Sequence, residues 1–280
     1  MNGNKKSYDQ KKGRRNPAQG YKGDRRDMQT AENESVSENI VIGRNPIREL
    51  LHSGRAIDKI FVQRGEREGS VIPLIAEAKS LGIVVVEVEK QKLDSLSGGA
   101  SHQGIVAFAA EKEYCEISDI LTLARERGEK PFVVIADEIN DPHNLGAIIR
   151  SADCLGAHGI IIPKRRSVGL TSTVSKASAG ALENMLIAKA VNIPAAIDEL
   201  KEAGLWIYAA DMDGAPYYEH KFDAPTAIVL GSEGNGISRL VKEKCDFVIS
   251  IPQYGSVNSL NVSNAAAIIM SEVARQFHKQ

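Results

Sequence analysis

The chain has 280 residues, of which 42% are hydrophobic and 25% charged, and its formal net charge is −1. This length is enough for two domains with cores of their own. No apolar run reaches the length of a membrane-spanning helix, and residues 1–39 lack the apolar core of a secretory signal. Three cysteines lie far apart without a C-x-x-C pair, which argues against a structural zinc and a disulfide framework. We therefore expect a cytoplasmic protein with no membrane and no metal.

The N-terminal segment is strongly basic. Residues 1–27 hold nine Lys or Arg against three Asp, a local charge of +6, and almost no apolar residues. Such a segment cannot bury enough apolar surface to offset the entropy lost on ordering. We expect residues 1–38 to be a disordered basic tail, which suits a polyanionic partner. A tail that only solvates the protein would have the same composition.

Short strand and helix patterns alternate between residues 39 and 112. Apolar runs predict strands at residues 59–63, 83–88 and 104–109, and helices are predicted at residues 45–51, 71–78 and 91–96. This alternation indicates a small α/β sandwich.

A polar stretch at residues 113–130 is predicted to link this domain to a second one at residues 131–280. The second domain has predicted strands at residues 132–136, 159–162, 206–210, 227–230 and 247–251, and predicted helices at residues 142–155, 172–182, 197–203 and 258–277. Near-continuous apolar strands between helices indicate a parallel sheet covered on both faces. Ligands of such sheets bind at the carboxyl ends of the strands.

Two polar loops follow strands of this sheet. One is Gly231-Ser232-Glu233-Gly234-Asn235-Gly236; the other begins at Ile251 and Pro252 and runs into a helix rich in Ala and Ile. Glycines let a ligand approach the backbone closely, and a polar loop between a strand and a buried helix is typical of a small-molecule pocket. The glycine spacing is not that of the dinucleotide fingerprint, and no Walker lysine is present, so NAD or ATP is a weak alternative.

The predicted helix that begins at Pro142 can be analysed geometrically. Asp141 fits the N-cap position and Pro142 the first turn. At about 100° per residue, the apolar residues form one arc, Asn144 lies at its edge and Arg150 lies nearly opposite. Arg150 therefore points away from the core of its own domain, as an ordinary surface arginine would.

Three motifs together identify a family. They are N-x5-R within residues 137–153, G-x-E-G-x-G within residues 227–238 and S-L-N-V-S-x-A within residues 251–265. In this order and spacing they resemble the motifs of the SpoU (TrmH-like) RNA ribose 2′-O-methyltransferases, over about 150 residues from Pro131 to the C-terminus. The resemblance implies an α/β methyltransferase domain whose parallel sheet contains a deep trefoil knot, with S-adenosylmethionine as the cofactor.

Residues 39–112 resemble the small RNA-binding domain that some members of this family share with ribosomal proteins. The segment from Ser101 to Ala107 is especially similar to the last strand of that domain. His102 and Gln103 within it fit a glycine-containing turn as well as they fit an RNA contact.

The resemblance also implies which residues form the site. Gly231, Ile251 and Leu260 match positions that contact the cofactor, mainly through the backbone. Matches to catalytic or active-site positions are Asn144, Arg150, Glu233, Ser259 and Asn261.

The implied reaction is an in-line attack of a ribose 2′-oxygen on the sulfonium methyl group. Because a guanidinium group stays protonated in proteins, two roles for Arg150 stay open. It is either the general base in a desolvated site, or a cation that binds phosphate and stabilises the developing alkoxide. Asn144 would orient Arg150 or the ribose. Glu233 would bind an arginine or RNA, or would fix its loop through backbone N–H groups.

From the resemblance we expect methyl transfer to a ribose 2′-hydroxyl of structured RNA. The N-terminal domain favours ribosomal RNA, and the similarity is greatest to enzymes that methylate a guanosine of 23S rRNA. Alternatives are a tRNA guanosine 2′-O-methyltransferase, a non-catalytic RNA-binding protein of the same fold and, more distantly, an NAD oxidoreductase. Family members pair, and the final helix is apolar on more than one face, so we expect a homodimer with a composite active site.

Overall fold

The protein is described by a computed structural model that covers residues 40–65, 69–257 and 259–278. The basic tail predicted at residues 1–38 lies outside these ranges. Within them, no helix is long and apolar enough to cross a membrane.

The N-terminal domain is a four-stranded sheet with helices on both faces. Its elements are β1 (Ile40–Ile42), α1 (Arg44–His52), β2 (Ile57–Gln63), α2 (Val71–Ser80), β3 (Val84–Val88), α3 (Lys90–Leu96) and β4 (Ile105–Ala109). The strand order is β1-β4-β2-β3, with only β2 and β3 parallel. Helices α1 and α2 bury apolar residues such as Leu50 and Leu74 on one face, and α3 buries Leu93 on the other. This confirms the predicted small α/β domain.

The second domain is built on six parallel strands. They are β5 (Phe132–Ala136), β6 (Gly159–Pro163), β7 (Leu186–Ala190), β8 (Trp206–Pro216), β9 (Thr226–Leu230) and β10 (Phe247–Ser250). Their order is β10-β8-β9-β5-β6-β7, and every neighbouring pair is parallel. Strands β5 and β9 are central and buried along their whole length. The near-continuous apolar strands therefore indicated the parallel sheet correctly.

Helices cover both faces of this sheet. They are α4 (Ile117–Arg127), α5 (Pro142–Cys154), α6 (Ser172–Ala177), α7 (Ala181–Asn184), α8 (Ile193–Glu202), α9 (Arg239–Lys244) and α10 (Val262–Phe277). On one face α5 and α10 contribute buried residues such as Ile148 and Ile269 to the larger core. On the other face α4, α8 and α9 supply residues such as Ile120, Ile197 and Val241.

The polar stretch at residues 113–130 is more than a connection between the domains. It contains α4, whose Ile117, Ile120 and Ala124 are buried against the second sheet. The backbone N–H of Glu116 donates to the Asp119 carboxylate at 2.9 Å at the start of this helix. The helix ends at Gly128, which has the left-handed φ of 66° that favours glycine. This segment therefore belongs to the core of the second domain as well as joining the two domains.

Three other differences from the predicted elements need correction. The helix predicted at residues 172–182 is interrupted between α6 and α7, because Ala179 and Gly180 both have left-handed backbone conformations, with φ of 54° and 103°. The edge strand β7 was missed. The final helix begins at Val262 instead of residue 258, because the side chain of Asn261 accepts the N–H of Ser263 and so caps it.

A buried ion pair joins the two domains. Arg55 Nη1 of the N-terminal domain lies 3.0 Å from Glu183 Oε1, and the Glu183 side chain is only 1% exposed. Lys112 Nζ donates to the Glu183 carbonyl oxygen at 3.0 Å, and burial lowers the pKa of Lys112. Removing one partner of such a pair would leave an uncompensated buried charge, so the interface fixes the relative position of the domains.

Candidate functional site

The site lies at the ends of β5 and β9 and beside the middle of β8. In the sheet register, Leu230 of β9 pairs with both Ala136 of β5 and Ala210 of β8. The chain leaves the sheet after Ala136 and Leu230, whereas β8 stops pairing with β9 after Ala210 and continues to Pro216. This is the edge at which ligands of parallel α/β sheets bind.

An irregularity in β8 opens space at this edge. Val248 of β10 pairs with Ala209, but the next residue, Ile249, pairs with Ala215. Residues 210–214 of β8 therefore have no partner in β10 and are the skipped part of β8. Gly214 is the last of them before pairing resumes. A Cβ atom at Gly214 would lie 2.5 Å from the backbone of Val248 and Ile249, so this close approach requires glycine.

A cavity of about 650 Å³ fills this space, within the range of small-molecule sites. Its lining comes from the skipped part of β8, the loop after β9, the loop after β10 and the first turns of α10. Six of the predicted site residues lie in the lining: Gly231, Glu233, Ile251, Ser259, Leu260 and Asn261. Sequence reasoning therefore brought together residues from two loops that do meet.

The loop after β9 folds tightly back on itself. Ser232 and Gly236 exchange backbone hydrogen bonds of 3.0 and 2.9 Å. A Cβ atom at Gly231 would lie 2.2 Å from the carbonyl carbon of Gly236 and 2.3 Å from the nitrogen of Ile237. Gly231 is therefore required by the crossing of its own loop. The approach of a ligand, which is the reason that the sequence pattern suggests, is therefore not what requires glycine at this position.

Glu233 lies exposed at the rim of the cavity. The hydrogen bonds that hold its loop are made by Ser232 and Gly236. In the part of the chain that the structure describes, no backbone N–H donates to the Glu233 carboxylate. The interpretation that Glu233 fixes its loop through backbone N–H groups therefore finds no such bond among the described residues, and a contact with an arginine or RNA stays a prediction.

Asn144 connects the first motif to the third. It is 6% exposed, although the helical arc had placed it at the edge of the apolar surface. Asn261 Nδ2 donates to Asn144 Oδ1 at 3.0 Å, while Asn261 Oδ1 caps α10. Asn144 thus braces the start of α10 at the cavity wall.

Arg150 is not part of this arrangement. It is exposed on α5 and does not line the cavity. Among the described residues its guanidinium group has no hydrogen bond or ion pair, and the Asn144 side chain bonds Asn261 and not Arg150. The prediction that Arg150 points away from its own core agrees with this position.

Two lining residues were missed by sequence reasoning. Asp211 and Met212 belong to the skipped part of β8. The Asp211 carboxylate lies 3.1 Å from Lys242 Nζ of α9. The sequence did contain a signal for them. Asp211 and Met212 follow the apolar residues of β8, and because β8 is parallel to β9, they must lie at the same edge of the sheet as the glycine loop.

Asp137 follows β5 at this edge and is 6% exposed. Its N–H donates to the carbonyl oxygen of Leu230 at 2.8 Å. Burial, with a smaller effect from neighbouring Glu138, raises the pKa of the Asp137 carboxyl from 3.8 to about 6. The carboxyl group therefore titrates close to the physiological range.

Large apolar side chains are exposed in the cavity lining and in the loop after β10. Met212 and Leu260 are 65% and 44% exposed, and Tyr254 and Val257 in the loop after β10 are 92% and 73% exposed. On α10, Ala265 and Ile268 are only partly buried. Such an accumulation of exposed apolar residues indicates a surface that another molecule covers.

The lining has an uneven charge. Its charged members are the acidic Asp211 and Glu233, and no lysine, arginine or histidine is among the described lining residues. Although Lys242 pairs with Asp211 from outside the lining, the exposed carboxylate of Glu233 suits a ligand with positive charge better than one with phosphates. No group of three or more potential metal ligands occurs in the described residues.

Comparison with known protein families gives two matches. Residues 131–271 match the SpoU rRNA methylase family. Residues 40–115 match the family of RNA 2′-O ribose methyltransferase substrate-binding domains. YacO of Bacillus subtilis (strain 168), assigned to the TrmH family of tRNA/rRNA methyltransferases, is 45% identical over 243 residues, which are 86% of this chain and 97% of YacO.

Two solved structures are similar over almost the whole chain. The SpoU methyltransferase AviRb from Streptomyces viridochromogenes, in complex with AdoMet, has 26% identity and a TM-score of 0.72, covering 91% of this chain and 94% of AviRb. An AdoMet-bound rRNA methyltransferase from Sinorhizobium meliloti has 25% identity and a TM-score of 0.72, covering 90% and 92%.

Proposed function

The chain belongs to the SpoU (TrmH-like) family of RNA methyltransferases, and we propose that it transfers a methyl group from S-adenosylmethionine to a ribose 2′-hydroxyl of structured RNA. One observation carries this proposal. Motifs that are far apart in the sequence meet around one cavity, where Asn144 of the first motif bonds Asn261 of the third and the glycine loop forms the opposite wall.

The cavity fits the cofactor chemically. S-adenosylmethionine, when bound, supplies a methyl group on a positively charged sulfur. The two loops present backbone N–H and C=O groups from Gly231, Ile251 and Leu260, and Ile269 contributes an apolar wall. Asp211 and Glu233 are the charged lining residues, which is favourable for a cation and unfavourable for the phosphates of NAD or ATP. The knot implied by the resemblance stays a prediction for the two loops that form this cavity.

Side chains of this protein would position the ribose hydroxyl and the cofactor and would stabilise the negative charge that develops on the ribose oxygen. We propose that Ser259 and Asn261 shape the side of the cavity that faces the ribose, with Asn144 holding Asn261 in place. Because a ribose hydroxyl is a weak acid, the alkoxide that develops during the attack needs a donor or a cation nearby. Arg150 is the cation we propose, acting either as the base or as an electrostatic stabiliser that also binds an adjacent phosphate.

Arg150 would act in a composite site at a dimer interface. It is exposed on α5 and absent from the cavity of its own chain. The exposed apolar residues of the cavity lining, including Met212 and Leu260, would be covered by a second copy. Glu233 at the rim would then be placed to pair with Arg150 of the partner subunit. An active monomer at assay concentration in sedimentation experiments would contradict this arrangement.

For the substrate we propose ribosomal RNA, with a guanosine of 23S rRNA as the target and the cytoplasm as the location. The substrate-binding domain at residues 40–115 supports an extended RNA contact. A tRNA target is the alternative, since YacO is assigned to a family of tRNA and rRNA methyltransferases. A non-catalytic RNA-binding protein is disfavoured, because every predicted site residue is present and all but Arg150 lie at or beside the cavity.

Methyl transfer from radiolabelled S-adenosylmethionine to separately purified 23S rRNA, 16S rRNA and tRNA tests this function. The RNA is then digested to nucleosides, and the labelled nucleoside is identified by mass spectrometry. We expect 2′-O-methylguanosine from 23S rRNA. Label in tRNA alone would favour the alternative substrate, and label on a base would overturn ribose methylation. Absence of transfer to all three RNAs would favour the non-catalytic interpretation.

A further inference from the structure

A second cavity, separate from the cofactor cavity, lies in the N-terminal domain. It has a volume of about 560 Å³ and is lined by the loop between α3 and β4, the start of α3 and residues of α1 and β2. Most of its lining is polar: Arg44, Gln63, Lys90, Asp94, Ser101, His102 and Gln103 contribute side chains. Nothing in the methyl-transfer chemistry uses this cavity.

The side chain of His102 holds the loop that lines this cavity in place. His102 is 6% exposed and both of its ring nitrogens are engaged: Nε2 with Asp94 Oδ1 and Nδ1 with the N–H of Gly104, each at 3.0 Å. His102 therefore supports the loop and is not available to a ligand. This settles one of the two interpretations that its sequence position left open.

Gln103, in contrast, is exposed at the cavity. It has a φ of 52°, a conformation that is uncommon for a residue other than glycine. Arg44 holds it there, since its backbone N–H donates to Gln103 Oε1 and its Nε donates to the Gln103 carbonyl oxygen, each at 3.0 Å. Backbone conformations of this kind persist where the surroundings impose them, often at ligand sites.

This bracing leaves one group of Gln103 for a ligand. The Oε1 atom is occupied by Arg44, and among the described residues no acceptor is found for the side-chain NH₂ group. Lys90, exposed at the start of α3, lines the same cavity and has no ion pair within the described part of the chain. The cavity thus combines an oriented amide donor with an exposed positive charge.

We propose that this cavity binds an unpaired nucleotide of the RNA substrate. The Gln103 NH₂ group would donate to an acceptor on the edge of the base, and Lys90 would contact the adjacent phosphate. Proteins recognise RNA sequence mainly at such splayed nucleotides, through hydrogen bonds to base edges. The inference rests on the proposed RNA methyltransferase function, and it adds a recognition site within the domain that carries no chemistry.

Two matched pairs of variants test the proposal. Lys90→Ala removes the phosphate contact, and Lys92→Ala removes an equal charge from the same helix outside the cavity lining. Gln103→Glu keeps an oxygen for Arg44 but replaces the NH₂ donor by an acceptor. Gln91→Glu, also exposed on α3, introduces the same charge outside the cavity lining.

Binding of end-labelled total rRNA is measured by filter binding over a range of salt concentrations, together with S-adenosylmethionine affinity by calorimetry. Lys90→Ala should lower the slope of log affinity against log salt by about 0.7, and Gln103→Glu should weaken binding by about tenfold. Each control should match wild type, and cofactor affinity should be unchanged in all four variants. A circular-dichroism melting curve confirms that each variant is folded.

The outcomes separate the two proposals. If wild type binds and methylates rRNA but each variant equals its control, the cavity proposal is overturned and the methyltransferase function stands. If Lys90→Ala folds poorly, Lys90→Gln gives the same comparison. Wild-type protein that binds cofactor but neither binds nor methylates rRNA or tRNA overturns both proposals.

Discussion

The two ends of α5 contact different surroundings. Asn144 in its first turn is 6% exposed and bonded to Asn261 beside the cavity. Arg150, six residues or about 9 Å further along the helix, is exposed, and its guanidinium group has no hydrogen-bonding partner among the described residues. Asn144 thus contributes to the fold of its own chain, whereas the Arg150 side chain is available to contact another molecule. In the composite site that we propose, one helix would therefore support the cofactor side of one site and supply a cation to another.

The largest expected effect is at the exposed end of α5. Arg150→Ala should lower kcat by about a thousandfold, the upper range for loss of one group that stabilises developing charge. The affinity for S-adenosylmethionine should not change, because Arg150 does not line the cavity. Steady-state methylation kinetics and calorimetry measure the two quantities.

Arg125→Ala, an exposed arginine on the opposite side of the sheet, is the control and should behave as wild type. Arg150→Lys should restore little activity if bidentate geometry matters. If Arg150→Ala lost affinity for the cofactor, Arg150 would contribute to the cavity of its own chain, and the proposed difference between the two ends of α5 would be wrong.

The next largest effect is expected at the cavity wall. Gly231→Ala should weaken cofactor binding by about a hundredfold, or about 2.7 kcal/mol, because the added methyl group would lie within 2.4 Å of Gly236 backbone atoms and the loop must move. Gly255→Ala in the loop after β10 is the matched control, since a Cβ atom there meets nothing within 4 Å and Gly255 does not line the cavity. Equal affinities in the two variants, measured by calorimetry, would place the cofactor elsewhere.

A smaller effect is expected at the buried end of α5. Asn144→Ala leaves Asn261 Nδ2 without its acceptor and should lower the free energy of unfolding by about 1–3 kcal/mol. Asn144→Asp keeps an acceptor oxygen and should lose less. Urea unfolding of Asn144→Ala, Asn261→Ala and the double variant forms a cycle whose coupling energy should exceed about 0.5 kcal/mol. Strict additivity would show that the bond does not brace α10.

The smallest effect concerns the Asp137 carboxyl, which precedes α5. Its folded-state pKa of about 6 lies above the ordinary value of 3.8, so the folded protein keeps a proton that the unfolded chain releases. Stability should therefore fall as pH rises between these two values, and the penalty should be complete above the higher one. Asp137→Asn should raise Tm more at pH 8 than at pH 4, as thermal unfolding can show. An equal change at both pH values would contradict the raised pKa.

Local chemistry made the start of α5 predictable. Asp141 accepts the N–H of His143 at 2.8 Å and Pro142 occupies the first turn, as their residue types indicated. The parallel sheet and the meeting of the two loops followed from apolar strands and from the rule that ligands bind at their carboxyl ends. The family resemblance added the roles of Asn144 and Arg150, which periodicity alone would have left as a core-edge and a surface residue.

Other features depended on contacts between distant segments. The apolar spacing of Ile117, Ile120 and Ala124 in α4 was a helical signal, but the charged residues around them made the segment resemble a connection. Glycine is required at Gly231 because the backbone of Gly236 folds back against it. Asn144 is buried where its side chain meets Asn261. Neither contact can be derived from local sequence, since each depends on where another loop lies.

Mixed dimers test the composite site most directly. One subunit carries Arg150→Ala and the other carries Gly231→Ala, and a different affinity tag on each allows the heterodimer to be purified. If Arg150 completes the site of its partner, one of the two sites keeps both an intact cavity and an arginine, and the heterodimer should have about half of the wild-type methylation rate per dimer. If each subunit uses its own Arg150, both sites are defective, and a heterodimer as inactive as either parent variant would contradict the account.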